Sequence, residues 1–294
     1  MSVTNDGGER PAASRSPLIS AGELAGMLGR SDVKIFDVRG TWSTPARALT
    51  GDYEAEHIQG AAFLDWTKHF IEQGVALGLA SVSDEAGARF AFEALGIDDG
   101  DLVVLYDGYS HMQAGRIWLA MRHWGFDNLR VLNGGWTYWK SQDLPVTNEV
   151  PELRKGTFEP KMQDGLKIDL DIFLDTYEQA CLIDARGLAG YAGKPDDPRT
   201  GHIPGALSVP FSTVLDPDTG LFLDSDHIAH LLDDMVPQWR DKPIIVSCGS
   251  GYAATVILMA LSSLDKPAKL FDGSFAAWKQ DPARPIEQGD GTKS

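Results

Sequence analysis

The chain of 294 residues repeats itself, and that repeat constrains its fold more than any single motif does. Near the start of each half an apolar run ends in Asp-X-Arg, Val33 to Arg39 containing Asp37 and Cys181 to Arg186 containing Asp184. Each is followed by a His-Ile-X-Gly-Ala turn, His57-Ile58-Gln59-Gly60-Ala61 and His202-Ile203-Pro204-Gly205-Ala206. A second apolar run comes next, Val103 to Asp107 against Ile244 to Cys248, and a helical stretch follows it. Both halves close on similar turns, Asn133-Gly134-Gly135-Trp136 and Asp272-Gly273-Ser274-Phe275, with Trp139 and Trp278 just beyond. Landmarks recurring in one order indicate a duplicated domain, residues 17–148 and 168–288, joined by a Pro- and charge-bearing linker, 149–167. Residues 1–16 and 289–294 are expected to be tails. The first is rich in Gly, Ser, Pro and charge and lacks the apolar surface that would offset the entropy of ordering it.

The length independently suits two domains. Short apolar strands alternate with amphipathic helices in each half, the pattern of an α/β fold with a mostly parallel central sheet flanked by helices on both faces. Helices are expected at 21–28, 84–95 and 113–124, and again at 170–177, 226–235 and 253–263. In such folds ligands bind beyond the carboxyl ends of the strands, and the strand 244–247 ends at Cys248.

Composition removes several function classes. Lys plus Arg number 26 against 42 for Asp plus Glu, a formal charge of -16, so nucleic acid and anionic membranes are not expected as partners. No apolar run approaches the ~20 residues of a membrane-spanning helix. Two cysteines make no disulfide framework, and the start of the chain has no apolar leader, which makes a reducing cytoplasm the default. Seven histidines and two cysteines form no metal-ligand spacing, so neither a metal nor a cofactor is implied.

The chemistry gathers at Ser247-Cys248-Gly249-Ser250-Gly251-Tyr252-Ala253, between a buried strand and a helix. Gly249 and Gly251 allow the backbone to curl so that successive N–H groups point inward as an anion-binding nest, with the positive end of a helix behind. A thiol held there is expected to react as the thiolate, because that field stabilises the charged form. The loop itself holds no basic residue, so this task falls to the backbone. In the other half Asp107 stands where Cys248 stands, and only the second half is armed. Cys181, inside an apolar strand, reads as core.

These tandem motifs together resemble the two-domain rhodanese superfamily of sulfurtransferases, over about residues 17–288. Within it the uncharged Cys248-Gly249-Ser250-Gly251 is similar to the loop of 3-mercaptopyruvate sulfurtransferases, whereas thiosulfate-using rhodaneses usually carry basic residues there. The resemblance implies that Cys248 takes sulfur from a small anionic donor, keeps it as a persulfide, and passes it to a thiol, a thioredoxin-like protein or cyanide. It further implies that Ser250 works with His57 and an aspartate, for which Asp52 is the nearest candidate. Read on its own, His57 suits a packing role equally, since His202 occupies the same place in the other half, and Ser250 suits a loop hydroxyl bonded to its own backbone.

Arg199 matches one of two family arginines that hold the donor carboxylate, and Gly249, Gly251, Tyr252 and Ala253 complete the expected substrate-binding set. The other arginine falls on Gly190, and Tyr252 and Ala253 replace a small aliphatic residue and a threonine. Thiosulfate therefore stands as an alternative donor, and a non-enzymatic persulfide carrier as an alternative function. A Cdc25-like phosphatase needs an arginine six residues past the cysteine, where this chain has Ala254. Arg39 and Arg186 recur in both halves and read as structural ion-pair partners; Arg116 and Trp42 are left open between structural and functional roles. Nothing in the sequence sets the oligomeric state.

Overall fold

The computed structural model describes residues 16–42, 46–108 and 110–289. The expected tail at 1–16 therefore lies almost wholly outside the described residues.

In the first half the strands are β1 (Leu18–Ile19), β2 (Val33–Asp37), β3 (Gly40–Thr41), β4 (Arg47–Ala48), β5 (His57–Ile58), β6 (Ala61–Phe63), β7 (Leu102–Tyr106), β8 (Leu129–Leu132) and β9 (Val146–Thr147). The helices are α1 (Ala21–Ala25), α2 (Thr50–Ala55), α3 (Glu85–Ala94), α4 (Met112–His123) and α5 (Gly135–Ser141). The second half has β10 (Lys167–Ile168), β11 (Cys181–Asp184), β12 (Leu207–Ser208), β13 (Ile244–Ser247) and β14 (Ala268–Phe271). Its helices are α6 (Leu170–Thr176), α7 (Leu188–Ala192), α8 (Ser225–Met235), α9 (Ala253–Ser263) and α10 (Ser274–Trp278).

Each half builds a five-stranded sheet, ordered β1-β8-β7-β2-β6 and β10-β14-β13-β11-β12, so the duplicated strands take duplicated places. Hydrogen-bonded neighbours in both sheets run parallel. Side chains alternate across each strand as the pleat requires. Phe36, Val103 and Leu105 face a core containing α3 and α4, while Ile35, Val104 and Tyr106 face α1 and Trp139 of α5. The first of these cores is continuous with Ile183, Val246 and the buried face of α9, so the two domains share one apolar interior.

Helices α4 and α9 meet at the centre of that interior. They approach so closely that a Cβ on Gly115 would lie 2.4 Å from Thr255 Oγ1, which excludes any larger residue there. The linker is pinned rather than loose: Gly156 N–H donates to Glu93 O at 2.9 Å, Phe158 N–H to Ile97 O at 3.0 Å and Gln163 N–H to His123 O at 2.7 Å. A docked linker and a shared core hold the second domain's strand ends against the first domain, and the cysteine loop lies at that junction.

Candidate active site

Strand β13 is central in its sheet, and its C-terminal end delivers Cys248 to the turn that opens α9. Gly251 takes a φ of +84°, a conformation that L side chains rarely adopt, and this curl aims its N–H at Cys248 Sγ, 3.2 Å away. The closing turn of the domain clamps the loop from beneath. Cys248 N–H donates to Ser274 Oγ at 3.1 Å, while Phe275 and Ala276 N–H donate to the carbonyls of Cys248 and Gly249 at 3.1 and 2.9 Å. Cys248 is only 2% exposed, so any charge on its sulfur is carried almost without solvent. Gly249 and Ser250 are half-buried, and Ala253 begins α9.

The first domain contains the same loop with different contents. There Asp107 Oδ1 accepts the N–H of His111 at 3.0 Å, and Oδ2 those of Gln113 and Ala114 at 3.1 and 3.2 Å. The turn at the end of β7 is thus an anion cradle filled by the chain's own carboxylate. Tyr109, within it, lies outside the described residues.

Tyr252 faces the first domain. Its ring meets Trp42 edge-on at 4.6 Å and Trp66 at 5.4 Å, closing the loop on that side with aromatic surface. Burial pushes its phenol up to about 12, against the pull of nearby Arg116. Trp42, 37% exposed, packs on Trp66 at 4.9 Å as well as on Tyr252.

Arg116, on α4, is the residue that sequence reasoning left open, and it is placed directly behind the cysteine loop. Its Nη1 contacts Asp272 Oδ1 at 2.8 Å, and a Cβ on Gly251 would lie 3.1 Å from that Nη1. Asp272 also accepts Val82 N–H at 3.1 Å and faces Lys167 Nζ at 3.5 Å. Burial raises the carboxyl of Asp272, but Arg116 and Lys167 outweigh it and hold the group below the ordinary carboxylate range. Burial likewise works against the Arg116 charge, and Asp272 more than restores it.

His57 is corrected. Its ring is fully buried, stacked on Tyr53 at 4.0 Å, with Nδ1 2.7 Å from Tyr53 O and Nε2 3.1 Å from Glu149 O. Nδ1 and Nε2 both face backbone carbonyls of the first domain and its linker, so a neutral ring spends its one N–H on a carbonyl and its other nitrogen is closed off by a second. His202 repeats the arrangement, stacked on Tyr191 at 3.7 Å with Nδ1 2.9 Å from Tyr191 O. The duplicated histidine locks a turn in each half. Asp52, in the first turn of α2, has no described contact with the cysteine loop.

Arg199 has a structural role besides the one expected of it. Its Nη1 donates to Arg284 O at 3.0 Å and its Nη2 to Lys279 O and Asp281 O at 2.9 and 3.1 Å, so the guanidinium staples its loop to the segment after α10. It still lines a pocket of about 290 Å³ beside Gly249, with Arg186, Gly190, Lys194 and Lys279. No ion pair engages Lys194 or Lys279 among the described residues, and at Gly190 an added Cβ would meet only Arg186, at 3.7 Å. Arg186 and Arg39 pair with Asp184 and Asp37 at 2.5 and 2.7 Å, as their recurrence in both halves leads one to expect.

A rhodanese-like domain profile matches residues 20–142 and 169–281. The chain belongs to the rhodanese family. A putative thiosulfate sulfurtransferase, SseB, of Mycobacterium tuberculosis is 34% identical over 283 residues, covering 92% of this chain and 97% of that one. The 3-mercaptopyruvate sulfurtransferase of Escherichia coli is 31% identical, with coverage of 92% and 97%. The crystal structure of SseA from Escherichia coli, a 3-mercaptopyruvate sulfurtransferase, superposes with a TM-score of 0.79 at 30% identity, over 88% of this chain and 99% of that one. This rhodanese-family protein is accordingly a sulfurtransferase enzyme with two rhodanese domains. No helix among its described residues is long and apolar enough to cross a membrane.

Proposed function

We propose that the enzyme moves sulfane sulfur from 3-mercaptopyruvate through a Cys248 persulfide to a thiol, a thioredoxin-like protein or cyanide. The observation that carries this reading is the Gly251 N–H aimed at Cys248 Sγ, 3.2 Å away in a nearly dry loop, which is the setting a sulfur anion requires. In the first step the Cys248 thiolate attacks the donor sulfur. The S–S bond forms, the C–S bond breaks, and its electron pair passes to carbon as the enolate of pyruvate, which takes up the thiol proton. An acceptor thiolate then attacks the outer sulfur, the S–S bond breaks, and Cys248 leaves as a thiolate.

The uncharged side chains of Gly249, Ser250 and Gly251 suit a donor whose anionic group lies away from the reacting sulfur. The pocket beside Gly249 supplies that place, with Lys194 and Lys279 at its rim in compensation for Gly190, and Arg199 holding its wall. No hydrogen bond joins the Ser250 hydroxyl to the protein among the described residues, which leaves it for the donor keto oxygen. Thiosulfate is the second reading, favoured by the name of the 34% identical relative. Pyruvate release from mercaptopyruvate compared with sulfite release from thiosulfate, at matched thiol acceptor, decides between them. A kcat/KM favouring thiosulfate by about tenfold, a difference of ~1.4 kcal/mol, refutes the donor assignment. Cys248→Ala is expected to abolish both activities, and persistence of either refutes the mechanism.

A further inference from the structure

The loop that carries the nucleophile contains no basic side chain, yet a guanidinium stands behind it, contributed by the other domain. Arg116, Asp272 and Lys167 form one cluster, through contacts of 2.8 and 3.5 Å, whose formal charges sum to one positive. A sulfur anion at Cys248 brings that sum to zero. Thiolate and persulfide each carry one negative charge, so the balance holds through both half-reactions.

We propose that Arg116 is the fixed cation of the sulfur-transfer site, a positioning residue acting through the Gly251 turn to hold the anion on Cys248. The inference rests on the persulfide reading above but not on which donor is used.

The duplication supplies its control. Arg116 sits in the fifth position of α4, and the fifth position of α9 is Ile257. Asp272 opens one closing turn, and Asn133 opens the other. Both closing-turn side chains accept a backbone N–H from the opposite domain, Asp272 from Val82 at 3.1 Å and Asn133 from Phe222 at 2.8 Å. The two domains therefore dock through a charged and a neutral version of the same contact. Buried ion pairs are costly to desolvate and are often replaceable by apolar residues without loss of stability. The charged version occurs behind the loop that bears cysteine, and the neutral one behind the loop whose Asp107 is satisfied by three N–H groups.

The test uses the full-length enzyme and two readouts, the rate of Cys248 alkylation by neutral iodoacetamide and single-turnover persulfide formation with mercaptopyruvate and with thiosulfate. Arg116→Gln is expected to slow both by about tenfold or more, the loss of one charge-assisted interaction, with Arg116→Lys recovering most of the rate. Asp272→Asn, which leaves the cation in place, is expected to cost clearly less than Arg116→Gln. Equal losses in those two variants, or a folded Arg116→Gln reacting within about twofold of wild type, overturn the proposal. Should Arg116→Gln fail to fold, Arg116→Ile with Asp272→Asn reproduces the neutral contact of the other loop, and wild-type alkylation in that variant refutes it equally. Failure of the wild type to load from either donor, with the alkylation difference intact, refutes the persulfide reading while upholding the role of Arg116.

Discussion

Gly251→Ala is the sharpest test of how the cysteine loop works. The residue has φ +84°, and forcing an L side chain into that region costs ~1–2 kcal/mol. The new methyl would also lie 3.1 Å from Arg116 Nη1 and 3.5 Å from Asp272 Oδ1, pressing on a buried ion pair. At roughly 2–4 °C per kcal/mol for a domain of this size, the backbone cost alone lowers Tm by roughly 2–8 °C. The rate should fall further, because rotating the turn removes the N–H that Cys248 Sγ accepts at 3.2 Å. A hydrogen bond to a charged group contributes ~1.5–3 kcal/mol, which is a ten- to hundredfold loss in persulfide formation. Gly249→Ala is the control, since a Cβ there meets only Arg186 Cδ at 4.0 Å and no positive φ is involved. Its melting temperature should move by no more than about 1 °C. Thermal unfolding by calorimetry and single-turnover pyruvate release measure the two effects. Equal melting temperatures for the two alanine variants, or a Gly251→Ala rate within about twofold of wild type, would refute the account of the loop.

Other consequences can be checked in the same way. His57→Asn should destabilise the first domain by about 1–3 kcal/mol in urea titrations, yet leave kcat/KM of the folded enzyme within about threefold; a hundredfold loss at unchanged stability would return the ring to catalysis. Arg199→Ala should both lower Tm and raise KM for anionic donors, because the guanidinium holds the pocket wall through several carbonyls; a change in KM alone would show that it contacts the donor instead. Asp272 is held below its unfolded value, so its stabilising contribution is present above the ordinary carboxylate range and is lost as pH falls through the folded value. Unfolding free energies measured from pH 5 to pH 3 should therefore fall less steeply in Asp272→Asn, and identical slopes would exclude that contribution.

Much of this architecture was legible because the repeat allowed each half to check the other. The longer helices declared themselves: α3, α4, α8 and α9 lie within a residue of the expected limits, and so does the seven-residue α6. The short helices α2, α5, α7 and α10 did not, and α1 stops early, at Ala25 before Gly26. Cys248 was readable from the two glycines flanking a strand end. The role of His57 was not, because it is set by the carbonyl of Glu149, brought in by the linker. Its repetition as His202 was the available signal, and it favoured structure. The role of Arg116 stayed open for a different reason. Its partner, Asp272, is in the other half, and a contact between domains leaves no local pattern. Setting Arg116 and Asp272 beside Ile257 and Asn133 was the comparison that could have exposed it.

The carboxylate in the unarmed loop has a further meaning. From Cα outward, an aspartate and a persulfidated cysteine are both chains of three heavy atoms ending in an anion. Asp107 therefore portrays, in permanent form, a side chain of the length the armed loop acquires once sulfur is transferred. Its carboxylate is gripped by N–H groups four, six and seven residues further along. The same count from Cys248 arrives at Tyr252, Ala254 and Thr255, of which the last already donates to Tyr252 O at 3.0 Å and leaves the first two for a ligand. In this molecule the disarmed copy serves as a built-in drawing of its twin's loaded form, and on the proposed cycle it marks which amides the outer sulfur should find.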